Sequence, residues 1–557
     1  MMDFTRHFAT RLRALVTPQS APIPGTAQVP DSAGGYAWAV DRWARLDRFL
    51  VLGSEGGTFY AGERQLTVES AGAVLECIEA DGPRVVRRTA EVSEAGRAPR
   101  NDPALFVLAM ASALGDAETR AAALAALPRV ARTGTHLFHW LQYVKGFRGW
   151  GRGVRRAVAE WYTAKEPREL AFQLLKYPQR DGWSHRDALR LAHPRPSTDE
   201  HRALFRRTAA GRTAPAVTGD AGPSADAMES PALRLVAAVD ALHADAELTP
   251  ARAAAAVREH RLAREMLPTP VLRSPEVWEA LLDGMPLGAL LRNLATMTRV
   301  GLLAPGSEAA EYVAARLGDG GALRRARIHP LAVLAAMKTY ASGRGVRGAG
   351  QWTPVARVVD ALDAAFYLTF GAVEPSGKRT MLALDVSASM SGPVAGIPFL
   401  SCREAAAAMA LVTAATEPRH FFTAFTAGRH PSMYAGHGTG LTPLSISPRQ
   451  RLDDVVQSIT GLPFGGTDCA LPMVEAERNR WKVDTFVVYT DSETWAGAVH
   501  PVQALRRYRE RTGIPARLVV VGMASNGFTI ADPDDAGMLD VVGFDTATPQ
   551  LIGDFAR

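Results

Sequence analysis

The sequence predicts an α + α/β chain, a HEAT-like helical solenoid followed by a Rossmann-like domain with a parallel sheet. Three observations predict it. From about residue 66 to 370 alanine and leucine dominate, and apolar residues recur at three- and four-residue spacing, as packed amphipathic helices require. From Arg379 onward short apolar runs alternate with helical segments, as in parallel strands covered on both faces. The chain's 557 residues also exceed what one hydrophobic core organises.

In chain order, Met1 to Val16 bears arginines and few acids. It reads as a frayed helical extension, with an amphipathic organellar presequence as the alternative. Thr17–Pro30, rich in Pro, Gly and Ser, reads as a linker. The predicted units are an extension and linker over 1–33, a helical-repeat domain over 34–372 and an α/β domain over 373–557. Tyr36 to Leu52 is predicted as a helix with Trp38, Trp43, Leu46 and Phe49 to one side, broken by the glycines that follow. Further helices are predicted at Asp102–Leu114, Ala117–Leu127, Val154–Thr163, His185–Leu191, Leu233–Leu242, Ala251–Met266, Val277–Leu282, Leu287–Thr298 and Pro330–Tyr340. Loops are predicted at 207–230 and Gly343–Gly350. No fixed period is visible, so degenerate helix pairs are expected rather than strict repeats. In the last unit, strands are predicted at 381–386, 420–425, 485–490 and 516–522, with helices at 401–416, 448–459, 470–481 and 499–512.

Composition narrows the function classes. Hydrophobic content of 47% and charged content of 22% are ordinary for a soluble protein. Cys77, Cys402 and Cys469 are scattered without CxxC spacing, which argues against a disulfide framework or cysteine-bound zinc and fits a reducing cytoplasm. No apolar run approaches the ~18 residues of a membrane span. The net charge of +6 is unevenly placed: residues 1–372 hold 47 Lys+Arg against 38 Asp+Glu, and the window 129–212 alone holds 18 against 7. Such a local positive field concentrates polyanions, whether RNA, DNA or an acidic protein.

Thr380 to Ser391 carries the clearest chemistry. An apolar run stops at Asp385, and hydroxyls follow at Ser387 and Ser389. A second run, Asp484 to Asp491, also ends on an aspartate, and between them lies the glycine turn Gly465-Gly466-Thr467-Asp468. Ligands of parallel sheets bind outside the carboxyl ends of the strands, where both aspartates fall. One or two carboxylates with several hydroxyls suit Mg²⁺ or another divalent cation, which takes oxygen ligands and retains water. The expected ligands are Asp385, Ser387, Ser389, Thr467 and Asp491, a set that resembles the metal-ion-dependent adhesion site of von Willebrand factor A domains. A structural cation that only relieves repulsion between the aspartates is the plainer alternative.

Several longer segments resemble the Ro ribonucleoprotein family, which pairs a TROVE domain with a von Willebrand A domain. They include Leu52 to Tyr60, Trp150 to Tyr162, Gly182 to His193, Pro286 to Leu294, Ala361 to Tyr367, Asp385 to Met390, Gly465 to Cys469 and Ser525 to Asp535. The likeness spans roughly residues 34–552. It departs over 195–232 and in a His/Gly/Thr/Pro-rich insertion at 427–447. The resemblance implies a ring-shaped solenoid around a basic hole, sealed by the A domain. It further implies a small noncoding Y RNA on the outer surface, single-stranded 3′ ends of misfolded RNAs in the hole, and a 3′-to-5′ exoribonuclease as a partner in RNA decay. Carried over by position, the RNA-binding residues are Arg152, Arg155, Arg156 and His185, with Arg186, Arg190 and His193 close enough to assist. Arg152, Arg155 and Arg156 are spaced so that one helical face meets successive phosphates. His185 also has a local reading, as the residue after a Ser184 N-cap.

Two other classes compete with this reading. In a metal-dependent docking module the A domain would recruit an acidic partner protein, with the helices as spacers. A nuclease would need carboxylates holding two ions. Asp532, Asp534 and Asp535 are the only obvious extra supply, in a turn-like stretch, and no P-loop, HExxH or nucleophile–base pair is visible. The sequence therefore predicts a noncatalytic RNA-binding scaffold. Arg324, Arg325, Arg327, Arg344 and Arg347 are candidates to extend its basic surface.

Overall fold

Helices carry the chain from Arg42 to Leu368, and a six-stranded sheet organises the remainder. The computed structural model describes residues 16–54, 63–210, 230–345, 350–370, 373–394, 397–426, 440–460, 462 and 465–557. Met1 to Leu15, most of the 207–230 loop, residues 346–349 and residues 427–439 of the insertion lie outside the described residues. Among the described residues no helix is long and apolar enough to cross a membrane.

Each helix of the first part packs mainly on its near neighbours in the chain, as in a solenoid. Their starts follow capping chemistry. Asp116, Thr133, Ser230, Thr249 and Ser307 each accept a first-turn amide. The segment predicted as one helix over Ala251–Met266 divides: Pro250–His260 ends where Arg261 turns left-handed, and a 3₁₀ turn Arg264–Met266 follows. The array then returns on itself. His329 is buried, and its Nε2 meets the carbonyls of Arg97 at 3.1 Å and Phe544 at 2.7 Å. Arg97 pairs with Asp545, so the first helices, the last helices and the chain's final elements meet at one seam.

In the second part, strands β1 (Thr380–Asp385), β2 (His420–Phe425), β3 (Leu441–Leu444), β4 (Thr485–Thr490), β5 (Arg517–Gly522) and β6 (Met538–Val542) form the sheet β6-β5-β4-β1-β2-β3. All pairings are parallel except that β3 runs antiparallel to β2 at the edge. β3 and β6 escape a search for apolar runs, because each is short and half-buried and β3 carries Pro443. Every residue of β1 and β4 is buried, and Leu384 stands opposite Tyr489, so Asp385 and Thr490 finish side by side.

Two expectations near the amino terminus are corrected. Tyr36–Ala39 is a strand, paired with Val29–Pro30 on one side and Phe528–Thr529 on the other. The helix starts only at Arg42, where Asp41 accepts the amides of Trp43 at 2.8 Å and Ala44 at 3.2 Å. Nor is 17–35 a free linker; it lies against the loops that carry Asp468 and Asp491. Gln19 is fully buried, donating to Asp468 Oδ1 and the Val499 carbonyl, both at 2.8 Å, and accepting from Thr494. Asp31 accepts the Thr494 amide at 2.9 Å. A Cβ on Gly35 would overlap the Thr494 carbonyl, so this approach needs glycine. Arg48 adds a buried clamp: it meets Asp540 at 2.7 and 2.8 Å and the Phe528 carbonyl at 2.7 Å.

Candidate functional site

Helix Arg152–Thr163 buries Val154, Ala157, Val158, Trp161 and Tyr162 and leaves Arg152, Arg155 and Arg156 exposed. The indole of Trp161 donates to the Ala131 carbonyl at 2.5 Å, fixing the helix's rotation. Beside it packs helix His185–Ala192, opened by a capping box in which Ser184 and Asp187 satisfy each other's amides. Arg186 and Arg190 stand exposed on this helix, and His193 closes it in the left-handed conformation, also exposed. Among the described residues none of these five arginines has a carboxylate within ion-pairing distance. Arg180 and Lys145, which sequence reasoning missed, add charge nearby. Arg180 is exposed on the hairpin Gln179–Arg180/Trp183–Ser184, and the Lys145 ammonium lies 5.9 Å from the Trp183 ring centroid. The Asp-Gly pair at 181–182, which turns with positive φ at both residues, is the sequence signal for the hairpin that carries Arg180, and nothing comparable marks Lys145 on its helix.

His185 does not stand with the arginines. It is 2% exposed, its Nδ1 lies 2.7 Å from the Tyr162 hydroxyl, and its ring sits 4.7 Å from that of Phe138. Burial pushes its imidazole down to about 4, only partly offset by the backbone of Gln173 and Tyr177, so it is neutral. A Cβ on Gly134 would come within 2.9 Å of its Nε2. The local reading therefore prevails in this structure: His185 ties its helix to Tyr162 of the arginine-bearing helix.

A cavity of about 600 Å³ lies where the ends of the helical array face each other. Arg292, Arg327, His136 and His329 line it, with Phe399 from the second part. Of the other arginines considered, Arg324 donates to the Leu368 carbonyl and Arg325 lies 4.0 Å from Asp319, while Arg347 is outside the described residues.

The three segments expected to hold a cation do meet. Asp385 is fully buried, accepting the Ser387 amide at 2.9 Å and the Thr490 hydroxyl at 2.6 Å. The Ser387 and Ser389 hydroxyls are 2.9 Å apart. The Ala388 amide donates to the Gly465 carbonyl, and the Trp495 and Ala496 amides donate to the Thr467 carbonyl, so backbone bonds join the loops. Among the described residues, Thr467 Oγ1 and Asp491 Oδ2 are buried with no hydrogen-bond partner. Burial raises the carboxyls of both aspartates, and for Asp491 the Asp385 charge adds to it. Gly466 closes the turn because a Cβ there would lie 2.8 Å from Trp495. No group of three or more His, Cys, Asp or Glu is arranged for a metal among the described residues. The donors gathered here are instead two carboxylates and three hydroxyls. Away from them, Asp535 is held by Arg509 at 2.6 Å and Asp532 accepts the Asp534 amide, which makes that acidic stretch a turn.

Comparison with known proteins places these features. The TROVE domain matches residues 29–340 and the Ro60 vWA domain matches residues 379–556. The RNA-binding protein RO60 of Deinococcus radiodurans is 45% identical over 533 residues, covering 95% of each chain. RO60 of Caenorhabditis elegans is 37% identical over 592 residues, covering 95% of this chain and 90% of its own. The crystal structure of the Deinococcus radiodurans Ro (Rsr) protein aligns at a TM-score of 0.67, covering 93% of this chain and 99% of that one. The chain therefore belongs to the Ro60 family, with a TROVE domain followed by a Ro60-type von Willebrand A domain.

Proposed function

We propose that this chain is an RNA-binding protein without catalysis of its own, acting in the cytoplasm in RNA quality control. A small Y-like noncoding RNA lies on the face bearing Arg152, Arg155, Arg156, Arg186 and Arg190, with His193 at its edge. Duplex segments are held through phosphates and shape, because the deep, narrow groove of an RNA helix cannot be read by side chains. Single-stranded 3′ ends of misfolded or decaying RNAs occupy the cavity lined by Arg292 and Arg327, where stacking and charge give little sequence preference. A 3′-to-5′ exoribonuclease would do the cutting. The observation that carries this reading is the exposed arginine set on two adjoining helices, without a carboxylate partner among the described residues, in a family whose relatives are named RNA-binding proteins. Electrophoretic shift with a structured small RNA tests it: Arg152→Glu with Arg156→Glu weakens binding at least about hundredfold, and Ser387→Ala leaves it unchanged. The opposite pattern overturns it.

A second reading rests on the cation loops. The buried, unpartnered Thr467 Oγ1 and Asp491 Oδ2 fit ligation of Mg²⁺ or another divalent cation together with Asp385, Ser387 and Ser389. Such an ion offsets the two aspartates and offers an exchangeable position to a carboxylate or phosphate oxygen. In this reading the A domain docks an acidic partner protein, the exoribonuclease among the candidates.

A further inference from the structure

We propose that the cleft at the seam of the helical array binds the terminal phosphate of a single-stranded RNA end. The proposal rests on the cavity reading above and adds to it a specific subsite. Arg132 and Arg327 line this cleft of about 140 Å³ together with Arg100, Ser93, Gly96 and Asn101, and among the described residues no carboxylate lines it. Arg327 and Pro99 also line the larger cavity, so a strand end leaving that cavity meets the cleft.

The local structure aims charge here. Arg327 follows helix Gly320–Arg325 at φ 53°, a left-handed stop position that glycine ordinarily fills. It lies against Gly96, itself left-handed, where a Cβ would come within 2.7 Å of Arg327 Cβ. Arg132 is held by the Ser93 hydroxyl at 2.9 Å and the Arg129 carbonyl at 3.0 Å. Burial and then the nearby Arg327 disfavour its charge, a repulsion that an anion between them relieves. The neighbouring acid, Glu94, is occupied by a two-point pair with Arg129 at 2.7 and 2.6 Å.

Helix Asp102–Leu114 starts at the cleft without a side-chain cap. The Asn101 side chain is committed to Ser93 at 2.6 Å and the Val130 carbonyl at 2.8 Å. Asn101 and Ala104 of that helix's start line the cleft, while the first-turn carboxylate Asp102 is turned to His139 at 3.7 Å. A monoester phosphate suits the site better than an internal diester, because it carries roughly −1.5 to −2 charge and needs chain on one side only.

The test uses the full chain and an unstructured oligoribonucleotide bearing a phosphate or a hydroxyl at its 3′ end, with a matched 5′ pair, read by fluorescence anisotropy at fixed salt. Expected is about tenfold tighter binding of the phosphorylated end in the wild type, lost in Arg327→Gln. In parallel, inorganic phosphate should raise the thermal midpoint of the wild type above that in chloride of equal ionic strength, and not that of Arg327→Gln or Arg132→Gln. Which pair shows the preference identifies the 3′ or the 5′ end. If the oligonucleotides bind but neither end preference nor phosphate stabilisation appears, the cleft assignment falls while the cavity reading stands. Phosphate stabilisation without end preference assigns the cleft to free phosphate and overturns the RNA-end assignment. If no oligonucleotide binds the wild type, the cavity reading fails and takes the RNA-end assignment with it.

Discussion

On helix Arg152–Thr163 the helical period separates what is buried from what faces solvent. Trp161 and Tyr162 anchor one side and three arginines occupy the other. That separation was legible in the sequence, because a spacing of three and four is a physical address on a helix. The place of His185 was not. A residue that follows an N-cap can point either way, and here Gly134, on a distant helix, leaves the space that draws it inward. Gly134→Ala should therefore lower stability by about 1–3 kcal/mol, read as a drop in urea midpoint at unchanged m-value. The cation ligands were legible because each closes an apolar strand or sits in a glycine turn. What the sequence could not give is that Thr467 Oγ1 and Asp491 Oδ2 are left without protein partners. Mg²⁺ should raise the thermal midpoint of the wild type and leave Asp491→Asn unmoved; equal responses would remove the cation from the account.

Among the elements, the segment 17–35 differs most from expectation. Its Pro/Gly/Ser composition speaks for turns and says nothing of partners more than 400 residues away, yet Gln19 and Asp31 satisfy the loop after Asp491. Gly35→Ala should release it, seen as new protease sensitivity within 17–35. Three histidines set the acid limit of the helical elements. His136, His185 and His329 are each pushed by burial from 6.5 down to about 4. Between those values the unfolded chain binds more protons than the folded one. Stability is therefore complete above about pH 6.5 and falls as pH drops toward 4, by up to about 3 kcal/mol per histidine. His329→Gln should flatten this slope relative to the wild type, measured as urea midpoint against pH. An unchanged slope would contradict a neutral, buried His329.

For the whole molecule, the seam and the Arg48 clamp bind the two parts together. Arg48 is nearly fully buried, and removing it leaves Asp540 with the Thr529 hydroxyl in place of its ion pair. Arg48→Ala should cost about 3–5 kcal/mol and split one unfolding transition into two, observed by calorimetry. The two-part architecture was legible from period and run length, whereas closure of the array was not, because it depends on single contacts such as His329 with Arg97 that no local pattern encodes. Closure brings Pro99 and His136 opposite Arg292, Arg327 and His329 around one cavity.

If the exposed arginines hold RNA through its phosphates, affinity must fall with salt. Affinity for a structured small RNA, measured from low to high salt in the wild type and in Arg152→Glu with Arg156→Glu, tests it most directly. Expected are a steep log–log loss with salt in the wild type, and in the variant at least about hundredfold weaker binding with a slope shallower by about two. Equal affinities and equal slopes would contradict it.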